Sequence, residues 1–419
     1  MKFSHNDLLT LLSSVAIMLI VSRLLAEMGR KIKLPVVMGE LLCGILLGPT
    51  IFGSFCPDLF THLFPKTGGA QIALDGLTQL SVIMLLFVAG MEVQLSIVLK
   101  QGRAAMYTSF TSMVIPFVLG FGIVWFFPGV FKFEAHNKLV YALFFGIAMS
   151  ISALPVISRI LMDLNIFKTE VGMMVMAAAI FVDLTGWLLF SLVLSMMGQT
   201  AGITNIWQTL GMILGFGLFM LVIGKKIIDR ALPWIQTKLS WPGGVLSICL
   251  GFCFLGATFT EYIGLHAILG AFIMGIAFGD SVHLHEKARE IIHQFVMNVF
   301  APLFFVSLGL KVNFIQNFDP LLVLIVLFLA VFCKLLGASL GAYMGGFSRR
   351  KSIAVGFGLN ARGAMEIILG TLALNAGLID EKMFVALVVM ALVTSIMSGP
   401  LMMYFLGSSE RKDKKLKPS

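Results

Sequence analysis

Two ionisable residues lie near the middle of long apolar segments and are the first candidates for chemistry. Asp183 lies in MAAAIFVDLTGWLLFSLVL, and Lys334 lies in VLFLAVFCKLLGASLGAYMGG. A charged side chain at the centre of a membrane-spanning helix costs about 2.5–3.5 kcal/mol on insertion scales, so each residue needs a compensating role. For Asp183 we favour a carboxylate that binds either a proton or a cation over a neutral carboxyl group that only packs.

Lys334 has two interpretations. It is either a lysine whose ammonium group reaches the membrane interface, or an interior positive charge that balances an empty ion site or pairs with a carboxylate. Because about ten apolar residues separate it from the preceding loop, we favour the interior role.

Two hydroxyl groups and a second pair of charges are further candidates. Ser152 and Thr185 carry neutral oxygens of the kind that hard cations prefer, although single hydroxyl groups in helices also donate to backbone carbonyl groups. Arg362 and Glu366 are four residues apart and share a helix face. For this pair we favour a local ion pair that stabilises the helix over a direct role in binding.

Other ionisable residues have weaker functional interpretations. We expect Glu40, in VVMGELLCG, to cap a helix or to bond within the structural framework rather than to function directly. His283, His285 and His293 fall in a polar connection, where a pH sensor is one interpretation and ordinary surface histidines are the other.

The composition identifies the class of protein that positions these residues. Of the 419 residues, 58% are hydrophobic and 12% are charged, and the mean hydropathy is +0.98. These values exclude a soluble globular domain, a disordered chain and a coiled coil. Runs such as VGMMVMAAAIF lack the alternation of a membrane β-barrel. We therefore expect an all-α polytopic membrane protein, and we assign its net charge of +9 to cytoplasmic loops rather than to nucleic-acid binding.

The sequence favours neither an enzyme nor a protein with a bound cofactor. His266 is the one histidine near the interior of a predicted span, and there is no H-E-x-x-H motif. The five cysteines show no CxxC spacing, so we expect no disulfide framework and no resident metal site.

Thirteen apolar segments predict thirteen membrane spans. Twenty-one of the 30 Lys and Arg residues fall in one set of alternate connections, which predicts an external N-terminus and a cytoplasmic C-terminus. The connection 281–293 is expected to form a surface helix, and 407–419 a short basic cytoplasmic tail. The spans are 8–27, 35–53, 75–94, 103–127, 137–161, 170–198, 207–225, 243–263, 265–280, 294–312, 320–345, 350–378 and 381–406.

The odd number of spans favours an inverted repeat of six helices, one linker helix and six helices. Helices five and twelve then correspond, and both contain helix-breaking sequences, 150–155 with Pro155 and 356–363 with three glycines. Paired interruptions in corresponding helices indicate the substrate site of a transporter.

Several segments in order resemble the monovalent cation:proton antiporters, the group that contains bacterial Na⁺/H⁺ antiporters, potassium-efflux transporters and plant cation/H⁺ exchangers. The resemblance covers nearly the whole chain. The segments are LPVVMGELLCGILLGP, MLLFVAGMEV, MSISALPVISRIL, AAIFVDLTGWLL, HAILGAFIMGIAF, PLFFVSLGL, KLLGASLGAYMGG and GLNARGAMEIIL.

The resemblance implies the Na⁺/H⁺ antiporter fold, with two inverted six-helix repeats, crossed broken helices and a homodimer in the cell (inner) membrane. Helices one to three (1–102) and helices seven to ten (199–312, with helix seven as linker) would form a dimerisation scaffold. Helices four to six (103–198) and eleven to thirteen (313–406) would form a mobile transport core.

The resemblance also assigns site residues. The essential aspartate of the family is the second residue of a two-residue motif on helix six, which Asp183 occupies, and its basic residue on helix eleven matches Lys334. The first motif position is Asp, Asn or Gln in many members, whereas here it is Val182, which neither ionises nor forms hydrogen bonds. Lys334 would therefore pair elsewhere, with Asp183 or Glu366, or be neutral because burial disfavours its charged form.

The expected function is exchange of Na⁺ or K⁺ for H⁺ by an elevator-like movement, electroneutral because one carboxylate, Asp183, carries either ion. Alternatively, Val182 marks a changed substrate or a loss of coupling. A potassium-efflux carrier remains open, as does an organic-anion transporter of the bile-acid-symporter kind.

Overall fold

The computed structural model describes residues 4–31, 36–93, 102–131, 138–164, 166–167, 169–196, 206–239, 242–281 and 283–407. Within these ranges the regular elements are helices, as the composition predicts. In chain order they are α1 (His5–Lys31), α2 (Val36–Leu47), α3 (Phe52–Phe55), α4 (Pro57–Leu63), α5 (Gly69–Glu92), α6 (Arg103–Phe126), α7 (Lys138–Ser150), α8 (Leu154–Asp163), α9 (Glu170–Met196), α10 (Ile206–Phe219), α11 (Lys225–Lys238), α12 (Gly243–Tyr262), α13 (Ala267–Gly279), α14 (Glu286–Phe295), α15 (Ala301–Lys311), α16 (Pro320–Met344), α17 (Arg349–Leu359), α18 (Ala364–Asn375) and α19 (Glu381–Leu406).

Ten helical stretches of the described residues are long and apolar enough to cross a membrane. The chain is therefore a multi-pass α-helical membrane protein, which confirms the predicted fold class. The other three predicted spans are built differently. The ninth span is the short helix α13, and the fifth and twelfth are divided into the pairs α7–α8 and α17–α18.

The predicted helix in the connection 281–293 is present from Glu286, but it is continuous with the span that follows. Helix α14 begins at Glu286 and continues through a π-helical turn, Val296–Phe300, into α15, so that one helical stretch runs to Lys311. No Gly or Pro lies between Glu286 and Ala301 to end the helix, and polar composition alone does not end one. The predicted basic tail lies, beyond Gly407, outside the described residues.

The chain divides into two compact units, each made of two separate stretches of sequence. Unit 1 contains residues 1–94 and 198–317, and unit 2 contains residues 95–197 and 318–419. Within unit 1, α5 packs closely on α13, and α2 packs on α1 and α15. Glycines permit these approaches, because a Cβ atom at Gly90 would lie 3.0 Å from Gly275 Cα.

Unit 2 is built around the contact of α16 with α6. Gly337 and Gly341 on α16 and Gly345 directly after its end form a stripe with one glycine per turn, and the stripe faces the α6 backbone. A Cβ atom at Gly341 would lie 2.6 Å from Thr108 Cα, and one at Gly345 would lie 2.6 Å from Ala104 Cα. Helix α16 packs in turn on α17, and this arrangement brings its buried side chains towards the interrupted helices.

We expect Gly341→Ala to lower the free energy of unfolding by about 1–3 kcal/mol, because its Cβ would force α6 and α16 apart. The matched control is Gly122→Ala on α6, where a Cβ meets no atom within 4 Å. Alanine should be neutral or stabilising there, since it favours helix over glycine. Thermal unfolding of the purified protein in detergent measures both variants, and equal melting temperatures would contradict the close contact of α6 with α16.

Candidate functional site

The two interrupted helices of unit 2 cross at their breaks and bond directly to each other. Helix α7 ends at Ser150 and α8 begins at Leu154, while α17 ends at Leu359 and α18 begins at Ala364. The backbone N–H of Ala153 donates to the carbonyl oxygen of Ala361 at 3.0 Å. The hydroxyl group of Ser152 donates to the carbonyl oxygen of Leu359 at 2.7 Å.

The local sequence explains both breaks. Pro155 is at the start of α8, where its missing N–H costs no helical hydrogen bond, and it prevents the helix from continuing through residues 151–154. At the other break Gly363 lies against α8, since a Cβ atom there would lie 2.7 Å from Val156 Cγ2. A side chain at this position would push the two breaks apart.

Two buried cationic side chains satisfy the carbonyl groups at the end of α7. The last helical bond of α7 is Ile151 N–H to Ile147, which leaves the carbonyls of Ala148, Met149 and Ser150 without helical partners. The Arg362 guanidinium group donates to Ala148 and, at 2.6 Å, to Met149.

Lys334 supplies the remaining donor at the end of α7, and we call Lys334 and Arg362 together the cap of this helix. Its ammonium group donates to the carbonyl oxygens of Ser150 and, at 3.1 Å, of Ser112 on α6. Both Lys334 and Arg362 are 0% exposed. The C-terminal end of a helix carries a partial negative charge, so two positive charges are favourable at this position.

Glu366 forms an ion pair with Arg362 rather than with Lys334. Its Oε1 atom accepts from Arg362 Nη1 at 2.9 Å, and its Oε2 atom has no partner among the described residues. Within those residues Lys334 makes no ion pair, and its partners are backbone carbonyls. The expectation that Lys334 pairs with Asp183 or Glu366 therefore does not describe this geometry.

Asp183 lies in the middle of α9 and is 1% exposed. Helix α9 packs on α7, α8, α17 and α18, which means that it contacts both parts of both interrupted helices. Gly186, one turn after Asp183, faces the first break, since a Cβ atom there would lie 2.6 Å from Ile151 Cγ1. Residues three apart share a helix face, so Asp183 is placed on the side of α9 that faces this break. Val182, the preceding residue, is 0% exposed.

The two candidate hydroxyl groups donate to backbone carbonyls. Thr185 donates to Phe181 of the preceding turn at 2.7 Å, and Ser152 donates to Leu359 across the crossing. A hydroxyl group that donates retains lone pairs for a cation, so both oxygens keep their capacity as ligands.

Sequence reasoning missed two polar side chains at the crossing, Asn360 and Ser395. Asn360 lies in the second break and is 0% exposed, and neither its Oδ1 nor its Nδ2 atom has a partner within the described part of the chain. A buried amide without partners is costly, which makes Asn360 a further candidate ligand. The GLNARG segment could have indicated Asn360, because the backbone groups of a buried helix break need polar partners. Ser395, whose hydroxyl donates to the Arg362 carbonyl, had no such signal in its apolar helix.

Glu40 and the histidines belong to unit 1. Glu40 is buried on α2, and its Oε2 atom has no partner among the described groups. His293 Nε2 lies 3.4 Å from Glu92 Oε1. The role of each of these residues stays a prediction.

A crossing of two interrupted helices inside an apolar bundle, with a buried carboxylate on a neighbouring helix, is the arrangement of a secondary transporter. The model of the transmembrane sodium/hydrogen exchanger family matches residues 15–405. The chain belongs to this family, which confirms the resemblance seen in the sequence.

Relatives and a solved structure agree with this assignment. The chain is 31% identical to "Cation/H(+) antiporter 17" of Arabidopsis thaliana over 402 residues, which cover 94% of this chain and 48% of the relative. It therefore spans about half the length of that relative. It is 30% identical to "Na(+)/H(+) antiporter NhaS4" of Synechocystis over 94% of this chain and 97% of the relative. The sodium proton antiporter MjNhaP1 of Methanocaldococcus jannaschii has the same fold, with a TM-score of 0.68 at 18% identity over 96% of this chain and 100% of the other.

We expect Lys334→Met to destabilise the protein, because it leaves the carbonyls of Ser112 and Ser150 buried without a donor. Each unsatisfied buried group costs about 1–3 kcal/mol. The control is Lys311→Met, which removes a half-exposed lysine paired with Asp75 at 2.8 Å and should cost at most about 1 kcal/mol. Thermal unfolding in detergent compares the two variants, and equal losses would show that the cap does not support the fold.

Proposed function

We propose that this chain exchanges a monovalent cation, Na⁺ or K⁺, for protons across the membrane. The observation that carries the proposal is the buried carboxylate of Asp183 on a helix that packs on both interrupted helices of unit 2. Relatives named as cation/H⁺ and Na⁺/H⁺ antiporters support exchange of a cation for protons, and membership of this family favours a transporter over an enzyme.

Competition for one carboxylate is sufficient to couple the two fluxes. The Asp183 side chain holds either a proton or a cation, and an uncompensated carboxylate is costly to carry through the low-dielectric part of the membrane. The site therefore crosses the membrane when Asp183 holds a proton or a cation, and it does not cross when Asp183 is ionised and empty. Each cation that moves in one direction is then exchanged for a proton that moves in the other.

The neutral oxygens at the crossing complete a shell for the cation. Hard monovalent cations prefer oxygen ligands, and the hydroxyl oxygen of Ser152 and the amide oxygen of Asn360 supply them at the crossing, while Thr185 on α9 is a further candidate ligand. Lys334 and Arg362 act differently, because their donors are taken by carbonyl groups of α6 and α7 and by Glu366. They fix the crossing against which Asp183 binds its ion.

Exchange is electroneutral in this proposal because the motif contributes one carboxylate. Val182 is buried and apolar, so the proton-loaded and cation-loaded forms of Asp183 carry the same charge. The charge that moves inward with one ion then equals the charge that moves outward with the other, and the cycle transfers no net charge.

Unit 2 is the transport core in this proposal, and unit 1 is the scaffold. The candidate residues Ser152, Asp183, Lys334 and Glu366 all belong to unit 2, so a rigid movement of that unit would carry the complete site. We propose an external N-terminus and a cytoplasmic C-terminus in the cell membrane, because Lys and Arg concentrate in one set of connections. A homodimer is proposed from the family resemblance alone.

An organic anion is the alternative substrate. It would need a cationic side chain that is available to it, whereas Lys334 donates to two carbonyls and Arg362 to two carbonyls and Glu366. This geometry favours a cation as the substrate.

Asp183→Asn should abolish exchange, because an amide neither releases a proton nor replaces the charge of the carboxylate. Purified protein in proteoliposomes, with a pH-sensitive dye inside, reports proton movement when Na⁺, K⁺ or an organic anion is added. Asp75→Asn in unit 1, where the carboxylate is exposed and pairs with Lys311, is the matched control and should keep exchange near the wild-type level. Exchange that survives in Asp183→Asn would refute the assignment of this residue.

An imposed membrane potential should leave the end point of exchange unchanged. At equilibrium the proton ratio across the membrane should equal the cation ratio at every potential. Proteoliposomes with a defined potential and a fixed cation gradient measure this end point. A potential that drives protons without a cation gradient would contradict the electroneutral cycle.

A further inference from the structure

A groove of about 390 Å³ lies on unit 2 between the second half of α16 and the start of α17. Its size is within the range of small-molecule sites, about 300–1,000 Å³. One wall is formed by Phe332, Leu336 and Leu340, which follow one another at intervals of four residues along a single face of α16. Arg349, the first residue of α17, lies at the polar end.

The apolar wall is open to the membrane. The exposed fractions of the three wall residues are 50%, 44% and 43%. A stripe of this kind faces hydrocarbon on any spanning helix, but here the start of α17 adds a second wall and turns the stripe into a groove. Hydrocarbon chains are the solvent at this depth, so an acyl chain is the occupant whose chemistry fits this part of the groove.

The polar end of the groove carries positive charge that no described group neutralises. Arg349 is exposed and makes no ion pair within the described residues, whereas Lys351, two residues later, lies 3.4 Å from Glu170. The N-terminal end of α17 adds its partial positive charge at the same place. The positive charge of Arg349 and the N-terminal end of α17 together favour a phosphate group as the ligand at this end of the groove.

We propose that this groove binds an anionic glycerophospholipid, with an acyl chain along the α16 wall and the phosphate on Arg349. With the orientation proposed above, residues 345–349 face the cytoplasm, and the cytoplasmic leaflet is the one that holds anionic lipids. The binding of the lipid does not depend on that orientation or on the antiport activity. Asp183, which the antiport activity requires, does not line the groove.

Native mass spectrometry of delipidated protein in detergent tests whether the groove selects lipids by the charge of the headgroup. Phosphatidylglycerol and phosphatidylcholine with identical acyl chains are added in turn, and the fraction of protein that retains each lipid is measured. Wild type should prefer phosphatidylglycerol. Arg349→Gln should reduce this preference about five-fold, the effect of one basic residue at a membrane surface. Arg350→Gln, the neighbouring exposed arginine that does not line the groove, should leave the preference near its wild-type value.

A second pair of variants tests the groove itself. Leu340→Trp fills it and should reduce retention of both lipids, while Leu324→Trp, on an exposed part of α16 outside the groove, should leave retention unchanged. Glycerol phosphate, which has the headgroup charge without acyl chains, should not displace the lipid at equal concentration. Size-exclusion profiles and melting temperatures identify a variant that fails to fold. If Leu340→Trp fails to fold, the comparison of Arg349→Gln with Arg350→Gln tests the proposal.

Four results would overturn the proposal. The first is equal retention of the two lipids by wild type, and the second is equal losses in Arg349→Gln and Arg350→Gln, which would indicate diffuse surface charge. The third is displacement by glycerol phosphate, which would indicate a site for free phosphate. The fourth is a change of oligomeric state in Leu340→Trp with unchanged lipid retention, which would indicate that a second copy of the chain covers the groove.

Discussion

A helix that ends inside a membrane leaves its last carbonyl oxygens without hydrogen-bond donors, and the surrounding hydrocarbon supplies none. In this protein the end of α7 meets that constraint with Lys334 from α16 and Arg362 from the second break. The two side chains come from distant parts of the sequence and converge on one turn of backbone. Their burial, otherwise costly, is offset by the partial negative charge of the helix end and by Glu366. We expect the crossing of the interrupted helices to depend on this cap.

The cap also gives Lys334 partners that do not depend on a polar residue at position 182. A basic residue that needed a carboxylate partner in the motif would be left uncompensated by Val182. Here the ammonium group of Lys334 has two carbonyl partners instead, and the guanidinium group of Arg362 has carbonyls and Glu366. Neither cation therefore depends on the side chain at position 182, and in the proposed mechanism Asp183 contributes the one charge that changes its occupant during the cycle.

Much of the fold could be predicted from the sequence because it follows from strong and local constraints. Apolar segments of spanning length gave the helices, Pro155 and the glycines around Asn360 gave the two breaks, and the cost of buried charge pointed to Asp183 and Lys334. The partners of Lys334 could not be predicted, because backbone carbonyls are present at every residue and only the fold selects Ser112 and Ser150. The continuous helix from α14 to α15 was missed for a related reason, since its polar start resembles a surface connection.

Proton release on cation binding tests the central claim most directly, because one site that holds either ion must exchange them one for one. Purified protein in weakly buffered detergent solution is titrated with Na⁺ or K⁺, and bound cations and released protons are counted at several pH values. We predict that the ratio approaches one proton per cation at low pH and falls towards zero as the pH rises, without exceeding one. Cation binding without proton release at every pH, or a ratio above one, would contradict the account.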